Sequence, residues 1–234
     1  MKPFLLLFDP AHGDNIPGKR SPDGKLLEYV WSRKMILGLM MEFNARIHAL
    51  DPGVKNWDIA APLNAEKREP GLISRVNFYN RMAASRKHTV LLSIHVNAEQ
   101  LPVGKWGKAT GFEWWTRTIE DPADEYAGIL AAAYEKEFPE ELFRLGYTVQ
   151  YGKELAEGIR TDADREKDFT IIAGYKGQLG WIIPKYYGVL QESMFMTNKQ
   201  DVAKLLDEEW QRRWRKAMIS AINKIFAYVE ERDL

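Results

Sequence analysis

Four residues scattered along the 234-residue chain, His12, Glu28, His95 and Glu192, each stand at the end or edge of a short apolar run. Two imidazoles and a carboxylate form the donor set of a catalytic zinc site, in which three protein ligands leave a fourth position open for water. Glu192 would then serve as general base, and the chemistry would be metal-assisted hydrolysis. Each residue also has an ordinary reading. His12, in Asp9-Pro10-Ala11-His12-Gly13-Asp14, can be a loop residue bonded to its own backbone. Glu28 falls in the first turn of a helix, where a carboxylate favours the helix dipole. His95, in Ser93-Ile94-His95-Val96-Asn97-Ala98, can be a satisfied core imidazole. Ser93, His95 and Asn97 alternate by two and so share one side of a strand. If that side is buried it must find partners, because an unsatisfied polar group costs about 1–3 kcal/mol.

These residues need elements to hold them, and strand-like and helix-like segments alternate along the chain. The pattern predicts a single α/β domain with a central, mostly parallel or mixed twisted sheet flanked by helices. Strands are expected at Phe4 to Phe8, Val54 to Ala60, Thr89 to Val96, Thr110 to Thr116, Phe169 to Ala173 and Gly188 to Glu192. Helical spacing covers Leu27 to Leu50, Gly71 to Arg86 and Pro122 to Phe138. A stripe from Val202 to Val229 predicts one amphipathic helix over Lys199 to Val229 that closes the core rather than forming a dimer seam, so a monomer is expected. No repeat or linker divides residues 1–234, which read as one catalytic domain without a separate wall-binding domain. Glu140 to Lys185 is the least regular part and is expected to elaborate the site.

Composition narrows the classes. Thirty-three basic residues balance thirty-three acidic ones, which argues against nucleic acid as a partner. Cysteine is absent, so any metal must rest on histidine and carboxylate. The apolar run Phe4 to Phe8 is shorter than the core of a signal peptide, and no stretch approaches the roughly 20 residues of a membrane span.

The motifs, taken in order, resemble the zinc-dependent N-acetylmuramoyl-L-alanine amidases of the amidase-3 type, and the resemblance covers nearly the whole chain. The family's Asp-Pro-Gly-His-Gly-Gly is matched by Asp9 to Asp14, its helix-start glutamate by Glu28, and its Ser-Ile-His-Ala-Asn-Ala by Ser93 to Ala98. Arg75-Val76 with Asn80, Gly111-Phe112-Glu113, Val189-Leu190-Gln191-Glu192 and Phe195 to Asn198 match further family patterns, and Gly158-Ile159-Arg160 matches one weakly. Ala11 and Asp14 replace family glycines, Gln191 is polar, and Lys176 to Tyr187 is longer than the family pattern.

The resemblance implies one Zn²⁺ per chain held by His12, Glu28 and His95, with Glu192 as base. The bond cut would be the amide between N-acetylmuramic acid and the L-alanine of the peptidoglycan stem. Asn97 and Glu113 are candidates for orienting the imidazoles, and Arg160 for contacting substrate. Two other readings stand beside it. A zinc carboxypeptidase would need an arginine such as Arg160 or Arg165 for a terminal carboxylate, and a non-catalytic wall-binding protein would typically lack a ligand or the base. An aromatic run, Trp181 to Tyr187, would pack the core or line a glycan groove, or form a contact surface. The expected setting is a phage or prophage lysin, cytoplasmic until it reaches the cell wall. The alternative is a periplasmic or extracellular enzyme whose signal peptide is not part of this sequence.

Overall fold

Every residue of β1 (Phe4–Pro10) is buried, as a continuous apolar run demands, so this strand lies inside a sheet covered on both faces. The computed structural model describes residues 4–49, 54, 56–144, 150–151 and 165–232. β1 pairs in parallel with β2 (Trp57–Ala60) and with β3 (His88–Asn97), and β3 pairs in parallel with β10 (Tyr187–Phe195). β4 (Phe112–Thr116) runs antiparallel to β10. Short strands β5 (Leu142–Phe143), β6 (Gln150–Tyr151) and β7 (Arg165–Glu166) extend that edge. The order is β2-β1-β3-β10-β4-β5-β6 with β7 also on β4, the mixed sheet that the sequence predicts.

Strand alternation sends Leu6, Phe8, Leu92, Ile94, Val189 and Trp114 to one face, where they pack against α1 (Glu28–His48), α3 (Pro122–Glu137), α5 (Lys199–Leu206) and α6 (Glu208–Glu231). Leu5, Leu7, Leu91 and Leu190 point the other way, against α2 (Leu72–Ala83) and α4 (Thr170–Ala173). The second face carries the candidate site residues of β3, β10 and β4. Gln191, out of step with Glu192, lies on the first face instead. Its Nε2 donates to Ser193 Oγ at 3.2 Å, and Trp214 Nε1 donates to the same oxygen at 3.0 Å. The polar residue beside Glu192 therefore does not enter the site.

Two expectations are corrected. The apolar stripe from residue 199 to 229 is two helices, because Asp207 takes an extended conformation and its side chain accepts the Trp210 N–H, capping a new start. Both halves still bury the stripe, with Trp214 and Trp31 in edge contact at 5.7 Å. Phe169 to Ala173 is not a strand but the helical turn α4, whose Ile171 and Ile172 are buried by the second face. A short apolar run does not distinguish the two on periodicity alone. Gly174 ends the turn at φ 89°, where a Cβ would meet Ile182 O at 2.0 Å. The chain then forms a separate hairpin, β8 (Tyr175–Gly177) and β9 (Gly180–Ile182), which accounts for the added length before β10. In the aromatic run that begins within β9, Trp181 is exposed, whereas Tyr186 is buried and donates to Ile171 O at 2.8 Å.

At the opposite end of β3 from the candidate site, His88 is buried, stacks on Tyr187 at 4.8 Å and lies 2.7 Å from Tyr126 Oη. Burial, with a smaller push from Lys87, lowers its pKa to about 4. An unfolded imidazole titrates near about 6.5. Between about pH 6.5 and about 4 the unfolded chain therefore holds a proton that the folded chain refuses, so stability is full above that window and falls as pH drops through it. His88→Phe is expected to flatten the dependence of the melting temperature on pH across this window. An acid limb as steep as the wild type's would contradict the assignment.

Candidate metal centre

The parallel register of β3 and β10 sets His95 opposite Glu192, and the antiparallel register of β10 and β4 sets Glu192 opposite Glu113. The three side chains form one row on the second face. The register shifts between Glu192 and Phe195, with Met194 at φ 63°, so β10 carries an irregularity beside the row. β1 ends next to β3, and the turn after it presents His12 at φ 42° toward His95, the rings meeting edge-on at 5.1 Å. Glu28, the first residue of α1, points back at both and is buried.

Glu28 Oε1 lies 3.0 Å from His95 Nδ1 and accepts the Val96 N–H at 3.1 Å, while Oε2 lies 3.8 Å from His12 Nε2. Burial pushes the Glu28 pKa up, but the His95 hydrogen bond and the two imidazoles overcome it, and the net direction is down. The other nitrogen of His12, Nδ1, lies 3.2 Å from Glu69 Oε2. A carboxylate oxygen accepts only, so the proton is assigned to Nδ1 and Nε2 keeps its lone pair toward Glu28.

One donor atom from each of His12, Glu28 and His95 falls within 4.8 Å of the others. Two donors on a tetrahedral zinc stand about 3.3 Å apart for bonds of about 2.0–2.1 Å. The observed 3.0 and 3.8 Å bracket that spacing. Glu28 Oε2 is buried and meets no hydrogen-bond donor among the described residues, an orphan that a cation would satisfy. The donor set and its spacing therefore fit a zinc-sized ion.

Glu192 has the opposite electrostatics. Its carboxyl is pushed well above the usual range, first by burial and then by the charges of Glu28 and Glu113, with Lys19 working against them. Its Oε2 also meets no donor among the described residues. Glu113, the third member of the row, is enclosed by donors: Asn97 Nδ2 at 2.9 Å, Trp115 Nε1 at 3.1 Å, Arg144 Nε at 2.6 Å and Arg165 Nη1 at 3.0 Å. Asn97 and Glu113 thus bond each other, and neither reaches an imidazole by a described hydrogen bond. Arg160 lies outside the described residues.

The partner of His12 that sequence reading missed is Glu69. It sits in the loop before α2, at the end of the charged run Glu66-Lys67-Arg68-Glu69, which reads as a solvated turn. Gly13 allows the approach, since a Cβ there would meet Glu69 N at 2.2 Å. Arg75 Nη1 donates to the other oxygen of Glu69 at 2.5 Å, and Asn15 Oδ1 accepts the Glu69 N–H at 2.7 Å. The same guanidinium donates through Nε and Nη2 to the fully buried Asp9, which also accepts from Tyr79 Oη at 2.7 Å and Ser93 Oγ at 2.6 Å. Burial raises the Asp9 pKa, but Arg75, Ser93 and Tyr79 bring it below the ordinary value. A chain of charge thus runs from Asp9 through Arg75 and Glu69 to His12. The substituted positions of the first motif are benign: Ala11 is buried with its N–H bonded to Ser32 Oγ and Ile94 O, and Asp14 is exposed.

His12, His95 and Glu192 open into a cleft of about 820 Å³ walled by Gly71, Leu72, Phe169, Ile171 and Leu190. An α/β sheet that brings imidazoles and carboxylates able to hold a metal ion to the ends of its parallel strands, inside such a cleft, has the layout of a hydrolytic enzyme. Residues 6–224 match the family of N-acetylmuramoyl-L-alanine amidases, peptidoglycan hydrolases, and the chain belongs to it. An N-acetylmuramoyl-L-alanine amidase from Clostridium difficile 630 superposes with a TM-score of 0.67 at 19% identity, covering 99% of this chain and 98% of that one. The catalytic domain of CwlV, the amidase of Bacillus (Paenibacillus) polymyxa var. colistinus, gives 0.64 at 16% identity over 94% and 96%. AmiC2 of Nostoc punctiforme gives 0.63 at 18% identity over 96% and 97%. At such identities the likeness is one of fold. No curated protein matches the chain. No helix among the described residues is long and apolar enough to cross a membrane.

Arg75→Met would leave Asp9 as a buried charge with two neutral donors. Breaking a buried pair in this way costs about 3–5 kcal/mol. Chemical denaturation is expected to show a loss of that size, and a loss under about 1 kcal/mol would contradict a structural role for the pair.

Proposed function

We propose that the chain is a zinc-dependent N-acetylmuramoyl-L-alanine amidase in which His12, Glu28 and His95 hold the ion and Glu192 is the general base. The observation that carries this reading is the convergence of the three donors beside Glu192, a half-buried residue that lines the same cleft and has an unpartnered oxygen. Zinc bound there supplies Lewis acidity toward water and the scissile carbonyl. Glu69 fixes the His12 tautomer, so that Nε2 is the donor. The Glu192 carboxylate takes a proton from water and passes it to the nitrogen of the leaving L-alanine. Water is added across the C–N bond, giving the lactyl carboxylate of the muramic acid and a free amino terminus. A raised pKa suits this duty, because a carboxyl that ionises reluctantly is a stronger base once ionised.

The carboxypeptidase reading is weakened by Arg165. That guanidinium is engaged by Glu113 and stacks over Trp115 at 4.6 Å, away from a role in receiving a peptide terminus. The wall-binding reading is weakened by the clustering of all three donors, two of which line one cleft with the base.

Digestion of purified peptidoglycan, followed by mass spectrometry, tests the reaction. Intact glycan with new L-alanine amino termini is expected, abolished by chelation and restored by zinc. Release of terminal stem residues instead would favour the carboxypeptidase. Glu192→Gln should retain zinc and lose about 10²–10⁴ in turnover, while His12→Ala should lose both. Glu69→Gln should weaken zinc binding about 10- to 100-fold in a competition with a chelator, and unchanged affinity would remove Glu69 from the account.

A further inference from the structure

The lining of the cleft contains two permanent cations, Arg75 and Lys19. Arg75 is saturated by Asp9, Glu69 and Pro10 O. Lys19 is half-buried and has no hydrogen-bond or ion-pair partner among the described residues. Its backbone is fixed all the same: Lys19 O accepts the Glu28 N–H at 3.1 Å, and the next residue, Arg20, bridges to Leu27. The ammonium is thus carried on a short, anchored turn at the rim that also holds Asn15 and Ile16, within electrostatic reach of Glu192.

None of the carboxylates that line the same cleft is paired with it. Glu69 is held by Arg75 and His12, and Asp168 accepts from Thr118 N and Oγ at 3.0 and 2.9 Å. Glu192 Oε2 meets no described donor, Lys19 included. A cation placed at a substrate cleft and left without an internal partner is placed for an anion that arrives with the ligand.

We propose that Lys19 is a specificity-determining residue that binds a carboxylate of the stem peptide close to the scissile amide, the free α-carboxylate of the second stem residue. The inference rests on the amidase reading above. A role on the developing oxyanion fits less well, because groups that stabilise a transition state are held in place by their own hydrogen bonds, and this side chain has none. A compact ammonium on a flexible stem instead suits a charge that varies in position from one substrate to the next. Walls in which that carboxylate is converted to a carboxamide would lose the contact, so Lys19 would make the enzyme discriminate between the two wall chemistries.

The test uses muramidase-released peptidoglycan fragments that differ only at the second stem residue, one set with the free carboxylate and one with the carboxamide. Steady-state kinetics of the wild type should show a KM about fivefold lower for the carboxylate fragments, the size expected of a half-exposed charge pair. That preference should collapse in Lys19→Met through KM, with kcat for the carboxylate fragments falling less than about twofold, and should persist in Lys19→Arg. The preference should also shrink as salt is raised. A wild type that treats both fragment sets alike, or a Lys19→Met variant that keeps the preference, overturns the proposal. So does an equal fall in kcat on both sets, which would move Lys19 to the reacting centre. If the wild type releases no L-alanine terminus from either set, the amidase reading itself fails, and this inference with it.

Discussion

Carboxylates taken out of water must be compensated, and the architecture of this chain follows from how each of them is treated. Asp9, Glu28, Glu113 and Glu192, from β1, α1, β4 and β10, are all buried or nearly so around the site. Asp9 receives a guanidinium and two hydroxyls, and Glu113 receives two guanidiniums, an amide and an indole. Those two are structural, and truncating their partners would strand a charge. Glu28 faces two imidazoles, and Glu192 Oε2 meets no described donor. The difference between satisfied and unsatisfied carboxylates separates the scaffold of the site from its working parts.

The scaffold reaches the working parts through hydrogen bonds of fixed direction. Arg75 holds Asp9 with one edge and Glu69 with another, and Glu69 decides which nitrogen of His12 carries the proton. On the other side, Asn97 and two arginines hold Glu113 beside Glu192, and the Glu28 and Glu113 charges add to burial in raising the Glu192 pKa. One carboxylate tuned down by imidazoles and a neighbour tuned up by burial is the kind of split that lets one site offer both a ligand and a base at the same pH.

Much of this was legible in the chain. The alternation Ser93, His95, Asn97 announced one polar face, and each of the three does find its partner there: Asp9, Glu28 and Glu113. His12, Glu28, His95 and Glu192 were readable as a set and do converge. Glu69 was not, because it lies 57 residues from His12 within a run of charges that looks like a solvated loop. Its contact depends on a close approach at Gly13 that no local pattern encodes. The break at Asp207 was hidden by a stripe that continues in phase across it, although an aspartate followed by two glutamates is a capping signal. The turn at Thr170–Ala173 was hidden by its β-branched residues, whose burial against α2 outweighs their preference for strand.

The central claim is that His12, Glu28 and His95 hold a zinc ion next to Glu192. Diffraction from zinc-soaked crystals on either side of the zinc absorption edge tests it most directly. The account predicts a single anomalous peak within about 2.0–2.2 Å of His12 Nε2, a His95 nitrogen and a Glu28 oxygen, absent from crystals of His95→Ala. A peak at other residues, or none at this cluster, would contradict it.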